Sequence, residues 1–167
     1  DIISEVDGLL IKNGNLQIDK GKNIQIKSDF FTEIDINEKN INNYLSLLKE
    51  KKFLNKKTNF KANLNHNLSI VLDKTFKVIE YDYKNKGKIN YLNLKLNKPI
   101  NNSFLENKIE NINFKESDFS TQYNNKKINH ISMAGSYSFN ENSFQEYNFK
   151  KNFSNDSSKI EIAFEYK

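Results

Sequence analysis

The sequence contains no cysteine, no arginine and no tryptophan, and it has one proline and five glycines among its 167 residues. Without cysteine the chain forms no disulfide and offers no thiolate to a metal ion. The scarcity of proline and glycine excludes a collagen-like or low-complexity chain. No apolar run approaches the ~18 residues of a membrane-spanning helix, and the first residues lack the basic start and apolar core of a signal peptide.

The remaining composition fits a single globular domain over residues 1–167, since 37% of the residues are hydrophobic and 28% are charged. The chain starts at Asp1 without a methionine and ends on the strand-like Phe164-Glu165-Tyr166-Lys167. We therefore expect this domain to be a fragment of a longer polypeptide, with any membrane anchor or export signal outside it.

The net charge of +5 comes from 26 basic residues, all of which are lysine. Asparagine occurs 29 times, and an excess of lysine and asparagine is typical of coding in a low-GC genome. Arginine supplies the bidentate contacts that read guanine and clamp phosphate. Because arginine is absent, we expect no specific nucleic-acid partner.

Alternation of apolar and polar residues dominates the chain and predicts roughly ten β-strands, each with one buried face. The plainest example places Ile131, Met133, Tyr137 and Phe139 on one face. Gly135 lies inside this strand and predicts a bend or a close approach of two backbones, because glycine weakens a strand without a packing gain.

The alternation slips between Val78 and Ile79, and again between Tyr91 and Leu92. Each slip predicts a β-bulge, because one extra residue in a strand returns the apolar side chains to a single face.

Turn residues predict that neighbouring strands are antiparallel and joined by hairpins. Asn13-Gly14 carries the strongest signal, because it lies between two apolar runs and both central residues of a type I′ turn need positive φ. Further hairpin tips are predicted at residues 20–23, 85–88, 124–127 and 140–142.

One segment departs from the period of two and predicts an amphipathic helix over residues 38–52. Asn37 stands where an N-cap belongs, and lysines follow near the negative end of the helix dipole. The apolar face of this helix consists of Ile41, Tyr44, Leu45 and Leu48.

Roughly ten one-sided strands and one helix leave most of the apolar surface without cover. A sheet covers itself by folding into two packed layers or a barrel, or it stays open as a trough that a ligand or flanking chain covers. The predicted fold class is mainly β: a curved antiparallel β-meander that forms a half-pipe or a partly closed groove, with one amphipathic helix packed on it.

Several short segments carry a family resemblance. The string from Gly8 to Ile18, with short strands tipped by Asn-Gly and Lys-Gly, looks like the meander of the AsmA-like family of bacterial envelope proteins, of the TamB and YhdP type. The segments that resemble the YhdP-type branch in low-GC bacteria are residues 42–45, 72–78, 87–89, 94–99 and 119–121. The similarity lies in the alternation of residues and the spacing of strands and turns, and it extends over most of the chain.

This resemblance implies a non-enzymatic segment of a very long protein that crosses the periplasm from an inner-membrane anchor outside this chain. In that family, stacked strands form a half-pipe along whose apolar inside phospholipid acyl chains move towards the outer membrane. The implied partners are phospholipid acyl chains and adjoining segments of the same polypeptide, and no cofactor is implied.

A continuous apolar floor is enough to hold such lipid, because acyl chains need no directional bonds. The residues predicted to line the lipid-facing groove are Ile112, Phe114, Phe119, Tyr123, Ile131, Met133, Tyr137, Phe139, Tyr147, Phe149, Ile160, Ile162, Phe164 and Tyr166. We expect no polar pair inside this floor.

The sequence shows no signature of catalysis or metal binding, and we predict that the protein is not an enzyme. His66 is interpreted as a turn residue and His130 as a residue on the polar side of a strand, and neither has the spacing of a metal-binding pair. The usual hydrolase and nucleotide-binding motifs are absent. Glu80 and Asp82 would act as catalytic carboxylates only if they shared a cleft.

Two alternatives to the lipid trough remain open from the sequence. The first is a self-contained β-sandwich that serves as a scaffold or adhesion module without a lipid ligand. The second is a carbohydrate-active or hydrolytic domain, which would need a carboxylate pair in a pocket.

Overall fold

The computed structural model describes residues 2–45, 55–101, 103, 107–126 and 128–165. These residues form one antiparallel sheet of nine strands, in which each strand lies beside its neighbours in sequence and β1 and β9 form the two edges. The strands are Ile2–Val6 (β1), Leu9–Lys20 (β2), Ile24–Ile36 (β3), Asn59–Leu72 (β4), Val78–Ile100 (β5), Ile109–Asn124 (β6), Asn129–Phe139 (β7), Gln145–Phe153 (β8) and Ser158–Phe164 (β9).

The mainly β, antiparallel prediction is confirmed, and the sheet is open. The accessible surface of the chain is 11671 Å², whereas a compact protein of this mass exposes about 8,600 Å². Within the described ranges no second sheet packs on the first. The structure therefore has the single-layer architecture that leaves a sheet face available.

Three of the predicted hairpin tips join consecutive strands. Residues 21–23 connect β2 to β3, residues 125–126 belong to the connection between β6 and β7, and residues 140–142 follow β7. Connections this short require antiparallel neighbours, in agreement with the observed pairing.

The predicted hairpin at Asn13-Gly14 is wrong. Asn13 does adopt positive φ, but it lies inside β2, where the pairing with β3 shifts between Lys12 and Asn15. A β-bulge uses the same local conformation as a tight turn while the strand continues. The first hairpin instead turns at Asp7 and Gly8, both of which have positive φ.

The predicted hairpin tip at residues 85–88 is also wrong, because these residues lie in the middle of the 23-residue strand β5. Gly87 is needed there for a different reason. A Cβ at this position would overlap the main-chain carbonyl of Asn63 and lie 2.9 Å from the Cα of Leu64. The glycine therefore lets β5 approach β4 closely.

Both predicted bulges in β5 are confirmed. Lys61 pairs with Tyr91 and Ala62 pairs with Ile89, so one residue of β5 is left between them. A second shift sets Ile79 outside the ladder near the start of the strand. The two bulges keep the apolar side chains of this long strand on one face.

The predicted helix over residues 38–52 is not confirmed. The structure describes a five-residue helix, α1, over Ile41–Leu45, and residues 46–52 lie outside the described residues. Asn37 is not the residue that precedes α1: its side-chain oxygen accepts a hydrogen bond from the backbone N–H of Lys39 at 3.0 Å in the turn before the helix, which begins at Ile41. Ile41 is buried against Ile36 of β3, so the helix packs on the sheet.

The compact part of the core lies on β4 and β5, where Ala62, Leu64 and Ile89 form a buried cluster. Partly buried side chains from neighbouring strands surround it, among them Phe119 and Met133. None of the helices in the described part of the chain is long and apolar enough to cross a membrane.

Candidate functional site

One face of the sheet carries nearly all of the large apolar side chains, and we call it the apolar face. Directly opposed residues of an antiparallel pair share a face, so the strand register identifies its members. Beginning at β4, one transverse row of directly paired residues crosses six strands and is formed by Leu64, Gly87, Phe119, Met133, Phe149 and Ile162.

Thirteen of the fourteen residues predicted to line a groove are described, and the register places all thirteen on the apolar face. For example, Phe114 opposes Tyr137, and Tyr147 opposes Phe164. Tyr166 lies outside the described residues. The structure therefore brings these side chains together on one surface, and their contact with lipid stays a prediction.

Cover on the apolar face falls from the middle of the sheet towards its edges. Leu64 on β4 is 5% exposed, whereas Ile160, Ile162 and Phe164 on β9 are 55%, 61% and 63% exposed. Exposed large apolar side chains on adjacent positions are unusual for a monomeric protein and mark a contact surface. The β9 edge of the apolar face is thus exposed, as is the opposite edge, where Val6 and Leu16 are 60% and 56% exposed.

Gly135 creates a gap in the apolar face that the side chain of Tyr147 crosses. A Cβ at Gly135 would lie 2.5 Å from Ser117 Oγ and 2.6 Å from Ser117 Cα, which confirms the predicted close approach. The Tyr147 hydroxyl donates a hydrogen bond to Ser117 Oγ at 2.9 Å, and its ring contacts Phe114 edge-on at 5.2 Å. Burial raises the pKa of Tyr147, partly offset by the bond to Ser117.

A chain of aromatic ring contacts runs across β3, β4, β5, β6 and β8. Phe30 and His66 stack with ring centroids 4.4 Å apart, His66 lies 6.0 Å from Tyr83, and Tyr83 lies 6.5 Å from Tyr123. Tyr123 meets Phe153 at 5.9 Å. Aromatic ring contacts therefore link five strands on this side of the apolar face.

His66 does not lie in a turn, as the sequence suggested, but in the middle of β4 on the apolar face. Its Nδ1 is 2.7 Å from the Tyr83 hydroxyl. Burial lowers the pKa of His66, because desolvation disfavours the charged imidazolium. The buried atoms His66 Nε2 and Asn85 Oδ1 have no hydrogen-bond partner among the described residues.

The expectation that the apolar floor holds no polar pair is wrong. A transverse row beside the apolar row above contains four polar side chains, and we call these four the polar row: His66, Asn85, Thr121 and Lys151. Ile131 separates Thr121 from Lys151, and each other step joins directly opposed residues. The polar row lies between the row from Leu64 to Ile162 and the row that contains Tyr83 and Tyr123.

The opposite, polar face contains a groove of about 720 Å³. Its position follows from the register, since the paired residues Asp29, Asn67, Lys84, Gln122 and His130 lie along it. The placement of His130 on the polar side of its strand is therefore confirmed. The Asn67 side-chain amide donates a hydrogen bond to Asp29 Oδ1 at 2.6 Å, so these two polar groups of the groove wall are hydrogen-bonded to each other.

Glu80 and Asp82 both project from the polar face of β5, where each carboxylate contacts a lysine. Glu80 pairs with Lys126, and Asp82 pairs with Lys84 at 3.3 Å. Such exposed pairs contribute little to stability and shape the charge pattern of the surface. No group of three or more residues suited to a metal ion occurs in the described ranges.

Comparison of the chain with known proteins found no matching family model, curated protein or solved structure. The functional inference therefore comes from the surface itself, and the chemistry that this surface offers is an apolar sheet face crossed by a polar row.

Proposed function

We propose that the chain is a non-enzymatic lipid-binding segment whose apolar face holds acyl chains. The observation that supports this proposal is a single open sheet with apolar side chains concentrated on one face and more than half exposed at β9. An exposed surface of this kind is stabilised when another apolar body removes it from water.

An acyl chain suits this face because its interaction is additive and non-directional. Each methylene removed from water contributes about 0.8 kcal/mol. A lipid therefore gains affinity from length along the apolar face and still moves from one row to the next without breaking specific bonds.

The pattern resemblance to the AsmA-like family, and to its YhdP-type branch, supports a wider form of this proposal. The chain would then form part of a periplasmic half-pipe that carries phospholipid between the inner and outer membranes. Its two edge strands, β1 and β9, would adjoin further strands of the same polypeptide. The membrane anchor would belong to other parts of that polypeptide.

The direct test is lipid extraction and mass spectrometry on the purified chain, together with displacement of a fluorescent fatty acid. The informative variant is Ile162→Asp, and the matched control is Ala163→Asp. Both residues lie on β9, but Ile162 shares the apolar face with Phe149, whereas Ala163 opposes Asn148 on the polar face. We expect Ile162→Asp to weaken fatty-acid binding severalfold and Ala163→Asp to leave it unchanged.

The competing function is that of a scaffold or adhesion module without a lipid ligand, whose apolar face is covered by protein. This alternative predicts lipid-free protein and no displaceable fatty-acid binding. Equal effects of Ile162→Asp and Ala163→Asp would likewise count against an acyl-chain site on the apolar face.

A further inference from the structure

The polar row places a cation among apolar side chains near the exposed β9 edge of the apolar face. Lys151 stands on β8 directly between Ile131 of β7 and Ile160 of β9. Phe149 and Phe153, two residues before and after Lys151 on β8, lie on the same face as Lys151. Its ammonium lies 5.2 Å from the centre of the Phe153 ring.

Lys151 differs in its electrostatic surroundings from those lysines of the polar face that form ion pairs. Several polar-face lysines contact a carboxylate, for example Lys12 with Glu33 at 2.8 Å and Lys88 with Glu116 at 3.1 Å. In the described part of the chain Lys151 forms no ion pair. An ammonium held over an aromatic ring can bind an anionic group, while the apolar side chains beside it can contact an apolar tail attached to that group.

We propose that Lys151 binds the anionic headgroup of a long-chain lipid whose acyl chain lies on the apolar face. This inference rests on the proposed function and names the lipid class that the site would select. A carboxylate or phosphate at Lys151 gains a charge-assisted hydrogen bond. The adjacent apolar row takes the tail.

The dimensions of the sheet suit this arrangement. The apolar row from Leu64 to Ile162 crosses six strands, and neighbouring strands lie about 4.8 Å apart, so the row is about 24 Å long. A tail that begins beside Lys151 on β8 therefore has about 19 Å of this row, four strand spacings, between it and β4, with Phe149, Met133, Phe119 and Leu64 along it. The uncharged members of the polar row offer hydrogen-bonding groups further along the same line.

The test compares two probes that share one tail: oleate, which is anionic, and monoolein, which is uncharged. Dissociation constants are measured for the full chain by displacement of a fluorescent reporter. We expect Lys151→Gln to weaken oleate binding about fivefold, the scale of a half-exposed charge pair, and to leave monoolein binding within twofold. Lys151→Arg keeps the charge and should retain oleate affinity.

The matched control is Lys150→Gln. Lys150 is the preceding residue of β8 but opposes Ser132 and Glu161 on the polar face. Removal of its charge lowers the net charge by the same amount as Lys151→Gln. We expect Lys150→Gln to change the affinity for oleate by less than twofold, and circular dichroism will establish that each variant is folded.

The outcomes separate the two proposals. If the unmodified chain binds both probes and Lys151→Gln has no larger effect on oleate than Lys150→Gln, the headgroup site is wrong while lipid binding stands. If the chain binds neither probe, both proposals fail. Should Lys151→Gln not fold, the unmodified chain still decides, because equal affinity for oleate and monoolein would overturn a cationic headgroup site.

Discussion

Placing a carboxylate on the apolar face will show how much of that face is open to water. Ile162 on β9 is 61% exposed, so about two fifths of its side chain is buried. Full burial of an isoleucine contributes about 1.5–3 kcal/mol, and the exposed fraction reduces this to about 0.6–1.2 kcal/mol. Because the carboxylate at this edge stays hydrated, we expect Ile162→Asp to lower the free energy of unfolding by about 1 kcal/mol.

The same substitution in the middle of the face should be far more damaging. Leu64 is 5% exposed and belongs to the cluster formed with Ala62 and Ile89. Loss of a buried leucine side chain alone costs about 2–5 kcal/mol, and burial of a carboxylate adds several kcal/mol. Because a domain is stable by about 5–15 kcal/mol, we expect Leu64→Asp to unfold most or all of the protein.

Urea denaturation followed by circular dichroism measures both variants, with a thermal scan as a second readout. For Ile162→Asp the melting temperature should fall by about 1–5 °C. The reasoning would be refuted if Ile162→Asp destabilised the protein as strongly as Leu64→Asp. That result would mean that β9 is covered by a further layer of the protein and that the apolar face is an ordinary closed core.

Three further predictions concern glycine packing, a buried hydroxyl and pH. Gly87→Ala should destabilise the protein by about 2–4 kcal/mol in urea denaturation, because the added Cβ would overlap the β4 backbone. The control is Gly21→Ala, where the nearest atom is 3.9 Å away, and it should change stability by less than about 1 kcal/mol. Equal effects of the two substitutions would contradict the β4–β5 register. Tyr147→Phe should cost about 1–2 kcal/mol, since it removes the hydrogen bond to the fully buried Ser117; an unchanged urea midpoint would show that this bond is not formed. Burial lowers the pKa of His66 below 6.5, so the unfolded state binds the proton more readily, and stability should fall as the pH drops below 6.5 towards the lowered pKa. His66→Gln should reduce this dependence of the urea midpoint on pH. An unchanged pH dependence in His66→Gln would contradict the buried placement of His66.

Local chemistry predicted conformations more reliably than it predicted their structural context. Asn13 adopts the positive φ that its Asn-Gly dipeptide indicates, yet it forms a bulge inside β2 and not a hairpin. Gly87 similarly serves close packing within β5. A dipeptide specifies its own φ and ψ, whereas the choice between a turn and a bulge depends on whether the flanking strands pair with each other or with a third strand.

The candidate site shows the same division. Alternation alone identified the thirteen described apolar residues that share one face, because the side-chain period of a strand is independent of its partners. The polar row escaped detection. Alternation with the predicted groove residues Tyr147 and Phe149 places Lys151, and not Lys150, on the apolar face. The sequence could not show that Lys151 falls in one transverse row with Thr121, Asn85 and His66, because that alignment depends on strand register.

The sequence by itself determined that this chain forms strands with one apolar and one polar face, since the alternation of apolar and polar residues is a local pattern within each strand. Only the tertiary structure decided that the strands remain in one open sheet, and that His66, Asn85, Thr121 and Lys151 fall in line across it. The physical reason is strand register. Pairing between distant segments sets it, each bulge changes it, and a shift by one residue moves a side chain to the opposite face.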